Sequence, residues 1–591
     1  MSTRKVVTAL RSVLLSLALC ALVGRAAWPQ QRAAPTRRAL AASSQAAPDW
    51  WKRAVYYEIY PRSFLDTNGD GIGDLNGITA KLDYLADLGI DAIWITPFYP
   101  SPQVDFGYDV SDYKAVDPQF GTLADFDRLL AEAHKRHIKI IGDFVINHTS
   151  DQHPYFIESR SSRDNPKRDW YIWRDAKRNG DPPSNWSSYF GPKAWTFDDR
   201  TKQFYYHAFY PQQPDLNWRN PQVERAMFDA VRFWLHRGVD GFRVDAIDGL
   251  LEDPAMRDNP VTTVLRDGST TEYEQERKYT QALPGNFEKF RHLRSVAAEF
   301  GPDRVLIGET YPKNVGDLRA YYGKRDDAFQ LPFNFFLMRA DKLDAATFRR
   351  LVGETEKVLR GRPTTYVLSN HDNPRAFDKF GDGRHDDDIA KLLDLMLLTL
   401  RGTPFFYYGE EIGMKTTEPT RLEDVRDPVG KVYWPKNKGR DGERTPMQWT
   451  SGRNAGFSSA ETTWLPVPPS AATRNAETMS TDSNSVLSFF RRASHLRRSS
   501  PALLDGTYSA IGNDPNVFVY RRSAPGQTMV IALNMSDAPR ELLLGPKDLG
   551  GSGRGLRLAL SSHGSNAGRP ITAGRVTLAP FEAAVFAVPE R

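Results

Sequence analysis

Three apolar runs in the chain end on acids. GFRVDA (241–246) carries Asp245, VLIGET (305–310) carries Glu309, and TTYVLSNHD (364–372) closes on Asp372. Each run is short and rich in β-branched or aromatic residues, so each reads as a buried strand with a carboxylate near its C-terminal end. Arg243 precedes Asp245 by two residues, and residues two apart in a strand point to the same side. A guanidinium there favours the ionised carboxylate and keeps Asp245 charged and nucleophilic. Convergent acids without a serine-based nucleophile motif suit a glycosidic bond. One carboxyl protonates the leaving group while another attacks or stabilises the anomeric carbon.

A second constellation lies near the N-terminal end of the folded region. DTNGDGIGD (66–74) spaces Asp66, Asn68, Asp70 and Asp74 with glycines between them, a loop able to wrap oxygen ligands around a hard cation. The carbonyl of Ile72 adds a fifth oxygen. The pattern resembles the start of an EF-hand loop, but Gly77 stands at the twelfth position, where that motif needs Glu.

These groups need a scaffold that converges strand ends. Eight strand-like runs occur, at 54–62, 92–100, 139–148, 241–246, 305–310, 328–335, 364–372 and 404–411. Amphipathic helical patterns lie between several of them; Ile78, Leu82, Leu85 and Leu88 share one face, as do Phe126, Leu129, Leu130 and Ala133. The alternation predicts a TIM (β/α)8 barrel, whose active site lies at the C-terminal ends of its strands. Periodicity fails over 149–216, far too long for a βα loop, which predicts a small inserted domain after strand three. Beyond about residue 504 the pattern becomes strand-like again and predicts a C-terminal all-β sandwich domain. The expected organisation is a leader over 1–48, a barrel over 49–148 and 217–503, an inserted domain over 149–216 and a β domain over 504–591.

Charge and cysteine usage exclude several functions. The 591 residues carry 78 basic and 73 acidic side chains, but residues 1–48 hold seven of the basic ones and no acid. The remainder has 71 basic against 73 acidic residues, so no basic body remains to grip a nucleic acid. Basic residues ahead of an apolar run over 13–23, too short to span a bilayer, predict a secretory signal and an exported, periplasmic or extracellular protein. Cys20, the single cysteine, lies inside that leader, so the mature chain is expected to lack disulfides and Cys-ligated metals.

DFVINH (143–148), GFRVDA (241–246), IGET (307–310) and SNHDNPR (369–375) resemble, in order and position, the four signature segments of the α-amylase superfamily of retaining glycosidases. QQPDLNW (212–218) resembles its fifth segment. The resemblance implies that Asp245 is the nucleophile, Glu309 the acid and base, and Asp372 the stabiliser of the oxocarbenium-like transition state. It places Tyr108, Asp109, His148, Arg243, His371 and Arg375 around the first sugar. It also implies that the 66–74 loop binds calcium, or magnesium, away from the catalytic pocket.

QPDLN and GRDGERTPMQW (439–449) resemble the exo-acting α-glucosidase and oligo-α-glucosidase branch. Within that branch a small residue after the nucleophile, here Ala246, implies α-1,4 rather than α-1,6 preference. The expected activity is therefore release of terminal glucose from maltose-like oligosaccharides, with a glucosyltransferase or isomerase on the same site as the alternative. Non-catalytic relatives of the superfamily lack catalytic acids and keep a membrane anchor; here all three acids are present and no span is expected.

Overall fold

The computed structural model describes residues 49–267, 270–550, 555–564, 570–571 and 574–589. The leader, with its apolar run and Cys20, lies outside the described residues. Asp49–Arg591 forms one compact unit.

Eight parallel strands build the central sheet: β1 (Tyr56–Ile59), β2 (Ala92–Ile95), β3 (Lys139–Val145), β7 (Gly241–Asp245), β10 (Val305–Gly308), β11 (Leu331–Pro332), β12 (Thr365–Tyr366) and β13 (Thr403–Tyr407). Their order, β11-β10-β7-β3-β2-β1-β13-β12, runs almost full circle. Side chains bridge the remaining seam, where Asn334 N donates to Thr365 Oγ1 at 2.8 Å and that hydroxyl donates to the Pro332 carbonyl at 3.3 Å. The expected barrel is therefore present; seven expected runs hold a shorter observed strand, and β13 begins one residue ahead of its run.

Alternation along the strands separates two cores. Tyr56, Trp94, Ile141, Ile307 and Phe405 pack inside the barrel, whereas Tyr57, Ile93, Ile140 and Phe406 face the helices. Helix Leu123–Lys135 shows why those helices form where they do. Thr122 and Asp125 make a reciprocal capping box, and Phe126, Leu129, Leu130 and Ala133 form its buried face. The expected face over Ile78–Leu88 is also buried, but Lys81 divides it between two short helices, Leu75–Ala80 and Leu82–Asp87.

Between β3 and the next barrel helix (Pro221–Arg237), strands β4 (Trp173–Arg174), β5 (Trp195–Asp198) and β6 (Gln203–Tyr206) form a small antiparallel sheet around Ile172, Trp186, Trp195 and Tyr206. A hairpin that the sequence pattern did not announce, β8 (Val261–Asp267) and β9 (Thr270–Gln275), rises after β7. Beyond the barrel, β14 (Thr507–Ile511), β15 (Val517–Ala524), β16 (Gln527–Asn534), β18 (Leu556–Ser561), β19 (Pro570–Ile571) and β21 (Ala583–Val588) make one antiparallel sheet. Strands β17 (Arg540–Leu543) and β20 (Arg575–Leu578) make a second. The β domain docks on barrel helices through Arg522, whose Nη1 donates to the Thr399 carbonyl at 2.6 Å, and through Tyr520, hydrogen-bonded to the Thr399 hydroxyl at 2.6 Å. No helix among the described residues is long and apolar enough to cross a membrane.

The register between β7 and β10 sets which side chains meet at the barrel mouth: Ile307 pairs with Arg243 and Gly308 with Val244. Gly241 makes this approach possible, since a β-carbon there would lie 2.1 Å from the Val305 carbonyl oxygen and 2.6 Å from Val305 Cγ1. Gly241→Ala is expected to push the two strands apart and cost about 1–3 kcal/mol. Thermal melts should show a lowered Tm together with reduced turnover; an unchanged Tm would refute the packing argument.

Candidate active site

Inside the barrel, the apolar layer gives way at its C-terminal end to charge. Arg243 is buried, and its Nη1 contacts Asp143 Oδ1 at 2.9 Å and Asp245 Oδ1 at 2.6 Å. Its Nη2 reaches Glu309 Oε1 at 2.9 Å. Strand register dictates this convergence. Asp143 lies opposite Arg243 across β3 and β7, and Glu309 follows the end of β10, its N–H donating to the Val244 carbonyl. Such a buried cation is stable only when paired, and here three acids share it.

Each acid has further partners. Asp143 Oδ2 accepts hydrogen bonds from Trp94 Nε1 and from the Tyr108 hydroxyl, both at 3.0 Å. Glu309 accepts from the Ala246 N–H at 2.8 Å and from the Tyr311 hydroxyl at 3.0 Å. Asp372 accepts from Arg444 Nη2 at 2.8 Å and Arg440 Nη1 at 3.0 Å. The last two arginines belong to GRDGERTPMQW, in the long segment after β13.

Burial and charge pull these carboxyls apart. Burial lifts Asp245 well above the usual carboxylate range; Arg243 opposes it, and Glu309 and Asp143 add to the lift. Arg243 favours the ionised carboxylate as expected, but it is divided among several acids and works against burial. Asp143 is pushed up to about 6, mainly by burial. Asp372 behaves oppositely: burial raises it, but the Arg440 and Arg444 guanidiniums that donate to it hold it below the usual carboxylate range.

Asp245, Glu309 and Asp372 line a cavity of about 520 Å³. Tyr108, His148, Asp245, Glu309 and Asp372 face it, as does Ala246. Arg243 and His371 lie just beneath, touching the acids rather than forming the lining. His148 is buried and pushed down to about 3, and its Nε2 lies 3.0 Å from the Gln213 side-chain amide.

Two expected sugar contacts are corrected. Asp109 is fully buried and commits its carboxylate to its own loop, accepting from Ser101 Oγ at 2.8 Å, Val104 N at 2.9 Å and Asp105 N at 3.0 Å. Asp105 faces the cavity instead, held by Arg440 Nη2 at 2.7 Å and by Gln213 Nε2 at 3.1 Å. Arg375 is also fully buried and donates to the carbonyls of Tyr408 at 2.7 Å and Glu443 at 2.9 Å, so it braces the rim without lining the cavity. Besides Asp105, sequence reasoning missed Asp143, Arg440, Asp248 and the aromatic wall of Tyr189, Phe190, Phe209 and Tyr311. An acid inside the apolar run KIIGDFVINH was the available signal for Asp143; the others sit on irregular segments.

The 66–74 loop lies outside this cavity. Gly69 and Gly71 adopt positive φ (+82° and +88°), which turns the loop's N–H groups inward. Asp66 accepts from the N–H groups of Asn68, Gly69 and Gly71 and from Ser458 Oγ at 2.5 Å, while Asp74 accepts from Thr67 and Gly77. Every candidate ligand is an oxygen, and carboxylate oxygens can accept more than one partner, so the donor set fits a hard cation. Among the described residues no cluster of three or more His, Cys, Asp or Glu side chains has metal-holding geometry. Asn68 and the Ile72 carbonyl would therefore have to complete the shell.

Barrel, acids and cavity together define a glycoside hydrolase. Residues 58–506 match the family profile for the alpha amylase catalytic domain. The chain is 44% identical over 504 residues to a probable alpha-glucosidase of Rhizobium meliloti (strain 1021), covering 84% of this chain and 91% of that one. It is 40% identical over 522 residues to an oligo-1,6-glucosidase of Parageobacillus thermoglucosidasius, covering 83% and 91%. Among solved structures it resembles the trehalulose synthase MutB of Pseudomonas mesoacidophila MX-45, with TM-score 0.82, 36% identity and coverage of 91% and 99%. The chain belongs to the α-amylase superfamily, in its α-glucosidase branch.

Substitution separates the roles of Asp105 and Asp109. Asp105→Asn removes one partner of Arg440 and a charged acceptor facing the cavity, so kcat/KM should fall about 10- to 100-fold with little change in Tm. Asp109→Ala should instead lower Tm, because three loop donors lose their acceptor. The reverse pattern in kinetics and melts would restore Asp109 to the cavity.

Proposed function

We propose that the protein is a retaining, exo-acting α-glucosidase that removes terminal glucose from maltose-like oligosaccharides. The observation that carries this is Arg440. Its guanidinium lines the cavity, bridges Asp105 and Asp372 across it and is anchored to Asp427 at 2.8 Å, which supports a walled pocket. A pocket walled by such a bridge favours one terminal sugar over a chain threading through. Asp245 then attacks the anomeric carbon, Glu309 protonates the departing oxygen and later deprotonates water, and Asp372 holds sugar hydroxyls while remaining ionised. Two carboxyls gripped by one guanidinium support the short separation, about 5–5.5 Å, that retention uses.

Ala246 supports α-1,4 over α-1,6 preference. It occupies the left-handed region (φ 46°), its N–H is fixed on Glu309, and its methyl lines the cavity beside the acid. A transferase or isomerase is the second reading, supported by the likeness to the trehalulose synthase. In that case a sugar hydroxyl, not water, opens the ester. Incubation with maltose, isomaltose, sucrose, trehalose and soluble starch, followed by NMR, separates the readings. The expected result is α-glucose as first product, faster from maltose than isomaltose, and loss of turnover in a folded Asp245→Asn variant. First-formed β-glucose, or substantial hydrolysis by Asp245→Asn, would defeat the proposal.

We also propose that Asp66, Asn68, Asp70, Asp74 and the Ile72 carbonyl hold Ca2+, with Mg2+ as the alternative ion. Bound there, the ion would brace the turn between β1 and the helix that follows. Chelation should lower Tm more than it lowers kcat, and Ca2+ should restore it; an unmoved Tm would count against a bound ion. The basic, apolar leader supports export to the periplasm or beyond.

A further inference from the structure

Glu58, on β1, is buried beneath the cavity and belongs to none of the motifs that define the site. Its Oε1 lies 2.5 Å from His371 Nδ1 and accepts the His371 backbone N–H at 3.4 Å. The His371 ring cannot turn. It is stacked between Tyr108 (5.3 Å, 9°) and Tyr60 (5.9 Å, 14°), with Trp94 edge-on at 5.9 Å. That leaves Nε2 buried, without a hydrogen-bond partner, and 3.3 Å from Asp372 Oδ2.

An ionised carboxylate facing a bare imidazole lone pair at that distance is repulsive, so Nε2 carries hydrogen. Two protonation patterns satisfy this. Either His371 is an imidazolium between two carboxylates, or it is neutral and Glu58 supplies the proton on the other side. Burial decides between them, pushing His371 down to about 3 and lifting Glu58 well above the usual carboxylate range. Arg243, Asp143, Asp372 and Tyr407 act on Glu58, and Arg243, Arg440 and Arg444 act on His371, further disfavouring an imidazolium. Arg243, the guanidinium acting on Glu58, is already shared by three acids.

We infer that Glu58 is a positioning residue: as a neutral acid it donates to His371 Nδ1, and so holds Nε2–H as a donor toward Asp372 and the hydroxyls of the bound sugar. The inference rests on the sugar site proposed above. Glu58 itself touches neither the sugar nor the reacting atoms. It selects one tautomer of a ring that the tyrosines already hold in place.

Steady-state kinetics over pH on Glu58→Gln and Glu58→Leu, with melts to confirm folding, test it. A glutamine amide can donate to Nδ1 as a neutral acid does, so Glu58→Gln should keep kcat/KM within about threefold of the parent, with the acid limb of the pH profile unmoved. Leucine has no donor, and Glu58→Leu should lose about 10²-fold. Removing a negative charge would lower the pKa of Asp245 and Asp372, so an acid limb displaced to lower pH in Glu58→Gln would show an ionised Glu58 and overturn the inference. Equal damage in both variants, or damage in neither, would also overturn it. Should Glu58→Leu fail to fold, the glutamine profile alone decides. Asp245→Asn, measured alongside, keeps the two ideas separate: activity there would sink the sugar site itself, whatever the Glu58 ratio.

Discussion

A single buried guanidinium governs this site. Arg243 is almost wholly removed from solvent, and a charge so placed is costly unless closely paired. Three carboxyls from three neighbouring strands offset that cost, and parallel register is what delivers them. Asp143 and Arg243 are direct partners across β3 and β7, and Glu309 emerges one residue beyond β10. Once these registers hold, Asp245 and Glu309 stand side by side without any loop having to place them. Acid in excess over cation leaves the cluster negative or partly protonated. Negative potential suits developing positive charge at an anomeric carbon, and a retained proton suits an acid catalyst.

The cluster around Asp372 has a richer supply of cations, two guanidiniums to three acids. Arg440 and Arg444 converge on Asp372, and Arg440 also holds Asp105 and Asp427. Asp372 is therefore held ionised, while Asp245 is lifted by burial and by its neighbours. Two acids of the same type thus have very different proton affinities because their cation supply differs. The contrast depends on a segment far from both in sequence, the stretch after β13.

Much of this was legible in the sequence. Buried parallel strands announce themselves as short apolar runs, and acids at their ends stand out against that background. Loop-borne groups carry no such period. Asp105 and Asp109 flank one short turn, and Phe106 and Gly107, both at positive φ (47° and 109°), decide which carboxylate meets the cavity. Neither acid's spacing from a strand encodes that choice. Arg375 was misread for a related reason: it lies past the strand, at the N-cap of helix Ala376–Phe380, where its side chain turns to carbonyls. Hairpin β8–β9 escaped notice because its polar, partly charged strands lack the apolar signature of the barrel.

In the proposed mechanism, the fate of the glucosyl ester depends on the aromatic side of the cavity, which Arg440 joins through the Phe190 ring at 4.9 Å. There the lining includes Tyr189, Phe190, Phe209 and Tyr311, with Asp248 and Gln281 as polar elements. Tyr189 stacks on Phe209 at 5.1 Å and carries Arg277 on its ring at 3.7 Å, so the platform is preorganised. Aromatic faces hold a sugar ring well and water poorly. Asp248 is fixed by the Tyr321 hydroxyl at 2.6 Å and the Tyr311 N–H at 3.2 Å, and Tyr311 in turn donates to Glu309. The aromatic wall and Glu309 are thus one connected unit. In that mechanism, hydrolysis and transfer differ by how long the aromatic wall retains a sugar while Glu309 awaits a proton donor, and the same carboxylates serve both outcomes.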